Sequence, residues 1–254
     1  MPSPEPTEGV LARAVRLLES FDARATSLSV TDLSRRSGLP LSTTSRMVAE
    51  LTRQGLLTRS SDGRRIQVGV RLWELASRAA PTRGLREAAL PFMEDLHTVI
   101  RHHIQLGVLD GEEVLFVERL SAHEAVINVT EVAGRLPLHA SSSGLVLLAY
   151  APPEVQESVL AGQLRAFTPS TITSTAELRT ALAEIRRAGF VHTPGHIREA
   201  AAGVAVPVRD TQDRVVASLG VVVPNDDVAV RTVPALRAAA HGIQRAMAGN
   251  AAAE

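Results

Sequence analysis

Two short helices separated by a glycine and a proline constrain the fold of this chain more than any other feature. Helices are predicted over about residues 31–37 and 42–54, the second with Met47, Val48 and Leu51 on its apolar side, and the sequence Ser-Gly-Leu-Pro lies between them. A glycine favours the end of one helix and a proline favours the start of the next, so the connection is a tight turn. The pattern predicts a helix-turn-helix, whose first helix has Thr31 as its cap and whose second helix begins near Ser42.

Elements predicted on both sides of this pair complete a small domain. Residues 10–21 carry apolar side chains on one face of a helix, and two short strands joined by Asp62-Gly63 follow the helix pair. A hairpin in that position is a wing. We therefore predict that residues 1–8 are a disordered N-terminus and that residues 9–70 form a winged helix-turn-helix domain.

The second helix of the pair opens with four hydroxyl residues and an arginine, and the wing carries two further arginines. Short donors and acceptors at a helix N-terminus suit contacts with base edges and phosphates in the major groove. Helix capping accounts for one hydroxyl residue but not for four. Residues 1–75 also hold 11 arginines against 8 acidic residues, although the whole chain has a net charge of zero. We predict binding to double-stranded DNA through Ser42, Thr43, Thr44, Ser45, Arg46, Arg64 and Arg65.

The remainder of the chain mixes helical and strand patterns. Residues 71–83 are predicted to be a linker helix, in which Trp73 serves either as core or as a dimer anchor. Residues 84–248 are predicted to form a second domain, with a hairpin turn at Asp110-Gly111, a strand over 125–130 and further strands near the C-terminus. The predicted fold class for this domain is α+β, with a mainly antiparallel sheet.

Composition narrows the classes of function. The chain has no cysteine, so it offers neither a disulfide framework nor a thiolate metal site. It has no lysine, which excludes a Schiff-base lysine and a P-loop lysine. No run of 18 apolar residues and no signal peptide is evident, so we expect a cytoplasmic protein without a membrane partner. No cofactor is predicted.

Several motifs spread along the chain resemble those of the isocitrate-lyase-regulator (IclR) family of bacterial transcription factors. They are, in order, RAVRLLESF, SGLPLSTTSRMVAELTRQGLL, LPLHASSSGLVLLA, IRRAGF and GVAVPVRD. The resemblance covers nearly the whole chain. It implies a winged helix-turn-helix, a linker helix and a C-terminal effector-binding domain related to GAF sensor folds. It also implies that the protein assembles as a homodimer or a dimer of dimers. The implied function is that of a repressor or activator whose affinity for operator DNA is controlled by a small organic effector.

The resemblance also implies which residues line the effector pocket. Many family members have a cysteine where this chain has Gly203, and some have serines at the positions of Gly220 and Val222. We therefore expect a pocket that is roomier and less polar than one made for a two-carbon acid. The lining residues carried over by motif are Asn128, Leu136, Ser142, Ser143, Thr193, Ala201, Gly203, Gly220 and Val222.

A run of three serines at the start of a predicted helix gives a physical indication of the ligand. Free N–H groups and the positive end of the helix dipole converge at Ser141, Ser142 and Ser143, which favours a carboxylate or another polar oxygen. The alternative is that Ser141 or Ser142 only caps the helix. A ligand matched to this end and to an apolar pocket has an aromatic or bulky apolar body and one carboxylate, carbonyl or lactone oxygen.

Two other functions remain open from the residues alone. Metal sensing would use histidines of the second domain together with a carboxylate, drawn from His102, His103, His139, His192, His196 and Glu199. An esterase would use Ser142 in the segment ASSSG as nucleophile, with Asp210 or Asp213 and then His241 in hydrolase chain order. Against the esterase, the parallel-sheet pattern and the oxyanion loop of α/β-hydrolases are missing.

Overall fold

The computed structural model describes residues 8–22, 25–79, 82–122, 132–226 and 229–251. The chain divides into two compact units, Met1–Pro81 and Thr82–Glu254, which we describe separately. Within the described residues, no helix combines the length and the apolar character needed to cross a membrane.

The first unit is a winged helix-turn-helix, as predicted. Its strands form one antiparallel sheet in the order β1-β3-β2, and its core joins leucines of all three N-terminal helices to Ile66 of the wing. The elements are α1 Val10–Leu18, β1 Ser27–Leu28, α2 Val30–Ser37, α3 Leu41–Arg53, β2 Leu57–Arg59, β3 Ile66–Val68 and α4 Val70–Ala79.

The predicted cap of α2 is wrong by two residues. The cap is Ser29, whose hydroxyl accepts a hydrogen bond from the backbone N–H of Asp32 at 3.1 Å, while the Asp32 carboxylate accepts from the Ser29 N–H at 3.4 Å. This reciprocal capping box satisfies two N–H groups that the first turn leaves unpaired. The helix ends at Gly38 with a φ of +67°, a conformation that glycine adopts at little cost.

Trp73 lies on α4 and is 69% exposed, so the interpretation of this residue as core is wrong. The predicted linker over 71–83 corresponds to most of α4, which ends at Ala79, and to the first residue of the next helix, which begins at Arg83.

The second unit is built on a six-stranded sheet in the order β6-β5-β4-β9-β8-β7, and each pairing described within it is antiparallel, as predicted. A further strand predicted over 125–130 lies outside the described residues. The elements are α5 Arg83–Ile100, β4 His103–Asp110, β5 Glu113–Leu120, β6 Arg135–Pro137, α6 Ser142–Tyr150, α7 Pro153–Ala161, α8 Thr175–Ala188, β7 Val191–Pro194, β8 Ala201–Arg209, β9 Val215–Pro224, a short 3-10 helix Ala229–Thr232 and α9 Val233–Ala251.

The sheet buries both of its faces because β8 and β9 are apolar on both sides. Val204, Val206 and Leu219 belong to the core cluster that contains residues of α5 and α9, and we call this side the α9 face. Ala205 belongs to the cluster that contains α6 and α8, and we call that side the α6 face. Since side chains alternate along a strand, Gly203 and Gly220 also lie on the α6 face.

Candidate functional site

The exposed face of α3 carries most of the residues predicted to contact DNA. Ser42, Ser45 and Arg46 are exposed, and Ser45 and Arg46 follow Ser42 by three and four residues, so both lie on the same face of the helix as Ser42. Ala49 is also exposed and extends the same stripe by one turn, although sequence reasoning did not select it. Thr43 is half-buried beside the stripe.

Thr44 is a correction to the predicted set. Its side chain is fully buried, and its hydroxyl donates to the carbonyl oxygen of Pro40 at 3.1 Å and to that of Leu39 at 3.4 Å. Pro40 precedes the first residue of α3, so the hydroxyl ties the helix to the turn. A side chain held in this way cannot contact a base edge.

The wing turn presents two arginines with different surroundings. Gly63 has a φ of +69°, and Asp62 accepts a hydrogen bond from the N–H of Arg64 at 3.0 Å. Hydrogen bonds from the Ser60 hydroxyl and the Arg64 N–H lower the pKa of Asp62. The Arg65 guanidinium donates to the hydroxyl of Ser27 at 3.2 Å and to its carbonyl oxygen, so Arg65 fastens the wing to β1, whereas Arg64 is exposed.

On the α6 face, the strand registers align four residues in one row. Thr193 pairs with Gly203, Gly203 with Val222, and Val222 with His103, across β7, β8, β9 and β4. Paired residues on antiparallel strands project to the same face, so the row forms a continuous strip under α6. Thr193 and His103 at its two ends are buried polar residues.

A second row lies two residues further along the same strands. It runs from Val191 through Ala205 and Gly220 to Gln105, and continues to Arg119 on β5. Gln105 is buried, and Arg119 donates from Nε to the Ser121 hydroxyl at 2.7 Å. The two glycines therefore lie near the centre of a floor that has polar residues at three of its four row ends, Val191 being the exception.

The start of α6 packs on this floor. Ser141 is the helix cap, because its hydroxyl accepts from the N–H of Gly144 at 3.0 Å. Ser142 and Ser143 are the first two residues of the helix and are both buried. The Ser143 hydroxyl oxygen has no hydrogen-bond partner within the described part of the chain. A buried hydroxyl without a partner in the protein usually forms its hydrogen bond with a ligand or a water molecule.

The expectation of a roomier pocket is wrong at Gly203. A Cβ atom at this position would lie 2.5 Å from the Ser142 hydroxyl oxygen and 2.8 Å from that of Thr193. At Gly220 a Cβ would lie 3.1 Å from the Ser143 hydroxyl oxygen. The space that the glycines leave is therefore filled by hydroxyl groups of α6 and β7, and the site is more polar than expected.

The other residues carried over by motif lie at the margin of this floor. Ala201 is half-buried on β8, two residues before Gly203 on the same face, and Leu136 is a half-buried residue of β6 that packs against the α6-side cluster. Asn128 lies outside the described residues. Sequence reasoning missed Gln105 and Arg119, and it considered His103 only as a metal ligand. The alternation of polar His103 and Gln105 with apolar Ile104 and Leu106 is the signal that could have indicated two of them.

A cavity of about 330 Å³ adjoins the site and shares Thr193 with it. His192 and His196 also line this cavity, and burial lowers the pKa of both imidazoles. Among the described residues, no group of three potential ligands could hold a metal ion, so the metal-sensing alternative is not favoured.

The esterase alternative also finds no assembled triad. Ser142 lies on the α6 face, whereas His241 belongs to α9, which packs on the opposite face of the sheet. The Asp210 carboxylate accepts hydrogen bonds from Arg214 at 2.8 Å and from the N–H of Gln212 at 2.8 Å. It serves the turn between β8 and β9.

Comparison with known proteins finds matches to both domains of the chain. The family described as IclR helix-turn-helix domain matches residues 10–61, and the family described as bacterial transcriptional regulator IclR C-terminal matches residues 78–246. A relative, the transcriptional regulator XynR of Escherichia coli, is 30% identical over 208 residues, which cover 82% of each protein. The probable transcriptional regulator SauR of Cupriavidus necator is 29% identical, covering 90% of this chain and 92% of the relative.

Solved structures give the same result. An IclR homolog from Microbacterium hydrocarbonoxydans, complexed with 4-hydroxybenzoate, is 48% identical with a TM-score of 0.90, covering 95% of this chain and all of the other. A second homolog, from Microbacterium sp. strain HM58-2, is 47% identical with a TM-score of 0.62, covering 94% and 97%. This chain belongs to the IclR family of DNA-binding transcriptional regulators, with an N-terminal helix-turn-helix domain and a C-terminal effector-binding domain.

Proposed function

We propose that the effector of this regulator is an aryl carboxylate of the 4-hydroxybenzoate class, bound on the α6 face beside the start of α6. The observation that carries the proposal is the buried Ser143 hydroxyl without a partner, at the positive end of the α6 dipole and above Gly220. A helix N-terminus favours an anionic oxygen. The 48% identity to a homolog complexed with 4-hydroxybenzoate supports the same class of ligand.

The surroundings of Ser143 suit a ligand that is polar at both ends. Ser143 would donate to the carboxylate, and the polar margin formed by Thr193, His103 and Gln105 offers partners for a ring hydroxyl. Val222, Leu136 and Ala201 offer apolar contacts for the ring, and Asn128 stays a predicted lining residue. A small keto acid has no ring that could fill the space beside these apolar side chains.

Isothermal titration of the full chain tests the effector class. We expect 4-hydroxybenzoate to bind more tightly than glyoxylate, pyruvate or an acyl lactone, and Ser143→Ala to weaken its binding at least about 10-fold, the range of a hydrogen bond to a charged group. Ser170→Ala, an exposed serine of the same unit, is the control and should bind as the parent does. Preference for the two keto acids, or unchanged binding by Ser143→Ala, would contradict the proposal.

We further propose that the exposed stripe of α3 reads base edges while the wing binds phosphate. Ser42, Ser45 and Arg46 lie on one exposed helix face, with Thr43 beside them, and Arg64 is exposed at the wing turn. Arg65 would add charge beside the backbone while it holds β1. Effector binding would change operator affinity by about 1–3 kcal/mol, the usual coupling between two sites. This activity implies a cytoplasmic protein and needs no catalytic role for Ser142.

Gel-shift titration on operator and unrelated DNA separates the two roles. Arg46→Ala should weaken operator binding and relax the preference among bases, whereas Arg64→Ala should weaken all sequences alike. Arg179→Ala is the control, because Arg179 is an exposed arginine of α8 in the other unit that pairs with Glu157. Equal affinity of all three variants for both DNAs would refute the assignment.

A homodimer, or a dimer of dimers, is the proposed assembly. Single exposed apolar residues are common on monomers, but several on two helices of one small unit favour a protein contact. The occupant we propose is a second copy of this chain, because two helix-turn-helix modules must be paired to read a two-fold operator. Trp73→Ser should raise the monomer fraction in sedimentation equilibrium, and an unchanged distribution would contradict this surface. The exposed apolar side chains are Val10, Leu11, Val15, Val70, Trp73 and Leu75.

A further inference from the structure

A cavity of about 410 Å³ lies beside the edge of β8 where β7 ends. Strand β7 pairs only with Ala202–Ala205, so Val206–Arg209 have no strand neighbour on that side within the described chain. The ends of α6 and α8 border this edge on one side and α9 on the other, since Tyr150, Gly189 and Ala240 all line the cavity. The volume is in the range of small-molecule sites.

The lining of this cavity is strongly basic. Four arginines and one histidine contribute to it, and no aspartate or glutamate is among the described residues that line it. The whole chain has a net charge of zero, so this local excess is not a consequence of composition. The basic residues are Arg186, Arg187, Arg209, Arg237 and His241.

Several of these arginines are fixed by uncharged partners. Arg186 donates to the carbonyl oxygen of Ala149 at 3.1 Å, and Arg237 donates to that of Ala188. The Arg209 guanidinium lies 5.0 Å from the ring centroid of Tyr150, and that of Arg237 lies 5.5 Å from the ring centroid of Phe190. Carbonyl and ring contacts hold the guanidinium groups in place without neutralising their charge.

Helix capping explains part of this arrangement but not all of it. Basic residues are favoured near helix C-termini, where Arg186 and Arg187 lie in the last turn of α8. That effect accounts for two positions on one helix, whereas Arg209 and Arg237 come from β8 and α9. Arg209 has an acidic partner, Asp213, at 3.4 Å, but the Asp213 side chain is 81% exposed and does not line the cavity. Positive charge from α8, β8 and α9 therefore converges on one cavity, and this arrangement favours binding of an anion.

We propose that this cavity is a second ligand site, which binds a small molecule carrying a phosphate or pyrophosphate group. Arginine forks match the geometry of phosphate oxygens and bind them through paired hydrogen bonds. Tyr150, at the rim, is the last residue of α6, and Ser142 is the first, so the helical rise separates the two sites by about 12 Å. The site is independent of the aryl carboxylate site, and its ligand does not compete with 4-hydroxybenzoate.

Pyrophosphate is the probe for this site. Calorimetric titration of the full chain at constant ionic strength should give saturable binding, with a signal change for the same ligand in phosphorus NMR. Arg187→Gln should weaken that binding about 10-fold, because it removes one charged donor from the cavity. Arg187→Lys should retain part of the affinity, since lysine keeps the charge but loses the fork.

The control and the competing outcomes are well separated. Arg179→Gln removes an exposed arginine of the same helix that lies outside the cavity, and should bind pyrophosphate as the parent does. Equal pyrophosphate affinity of the parent and Arg187→Gln would overturn the proposal, because binding within the cavity must depend on the charge of Arg187. Loss of operator affinity in Arg187→Gln with unchanged pyrophosphate binding would also overturn it, in favour of DNA. Displacement of 4-hydroxybenzoate by pyrophosphate would show that the sites are not independent.

Discussion

Substitution of Gly203 by alanine tests how closely α6 approaches the sheet. The added methyl group would lie 2.5 Å from the Ser142 hydroxyl oxygen, 2.8 Å from that of Thr193 and 3.0 Å from the Ser142 Cβ. Thr193 is held because it donates to the Gly203 carbonyl oxygen at 3.2 Å, and the Cβ atom of Ser142 cannot rotate away because it is fixed to the backbone of a buried helix. Overpacking of this kind costs about 1–3 kcal/mol.

The net effect includes the unfolded chain. Replacing glycine by alanine reduces the entropy of the unfolded state, which offsets about 0.4–1 kcal/mol of the cost. We therefore expect Gly203→Ala to lower the free energy of unfolding of the second unit by about 1–2 kcal/mol, which corresponds to about 2–8 °C in Tm. Because Ser142 must move, 4-hydroxybenzoate should also stabilise the variant less than the parent.

Gly84→Ala is the matched control for this experiment. Gly84 lies in α5 of the same unit, and among the described residues no atom lies within 4 Å of its added Cβ. This change should raise stability by up to about 1 kcal/mol, the helix preference for alanine over glycine. Scanning calorimetry of both variants decides the matter. If Gly203→Ala melts at or above the parent temperature, the close approach of Ser142 is not real.

Ser142→Ala in the Gly203→Ala background should recover part of the lost stability, because the two positions are in contact.

Two further predictions concern a helix cap and the response to pH. Ser29→Ala removes the hydroxyl of the α2 capping box and should cost about 1 kcal/mol, lowering the melting temperature of the first unit by about 4–8 °C in circular dichroism, while the second unit melts as before. Burial lowers the pKa of His196 and His192 in the folded state, so the unfolded chain binds more protons as the pH falls below about 6.5. Stability should therefore decrease between pH 7.5 and 5.5 in urea titrations, and His196→Gln should reduce that decrease; an identical pH dependence would refute the assignment.

Much of the fold was predictable because its signals are local. The turn at Gly38 and the hairpin at Asp110-Gly111 depend on residues that adopt a positive φ, and both glycines do so, with values of +67° and +62°. The burial of Thr44 also has a local signal in the sequence. Thr44, Val48 and Leu51 are spaced at helical intervals and are all buried, so Thr44 belongs to the apolar stripe of α3 despite its hydroxyl.

The candidate site was less predictable, since its geometry depends on which residues approach across the fold. A glycine in a sequence shows that a side chain is absent, but it does not show whether the space beside its Cα stays open or is filled by another residue. At Gly203 the space is filled by Ser142 and Thr193, which are 61 and 10 residues away in the sequence. The basic cavity had no sequence signal either, because Arg187 and Arg237 come from separate helices.

The three consecutive serines show how the register of α6 on the sheet assigns different roles to identical residues. Ser141 caps the helix by accepting from the Gly144 N–H, Ser142 occupies the space where a side chain at position 203 would lie, and Ser143 faces Gly220 with its hydroxyl unpartnered within the described residues. A larger residue at either glycine would displace the serine opposite, so the sheet residue and the helix residue act as a pair. Ligand preference in this family should therefore follow the pairs 142 with 203 and 143 with 220, and a change at one member should be compensated by a size change at the other.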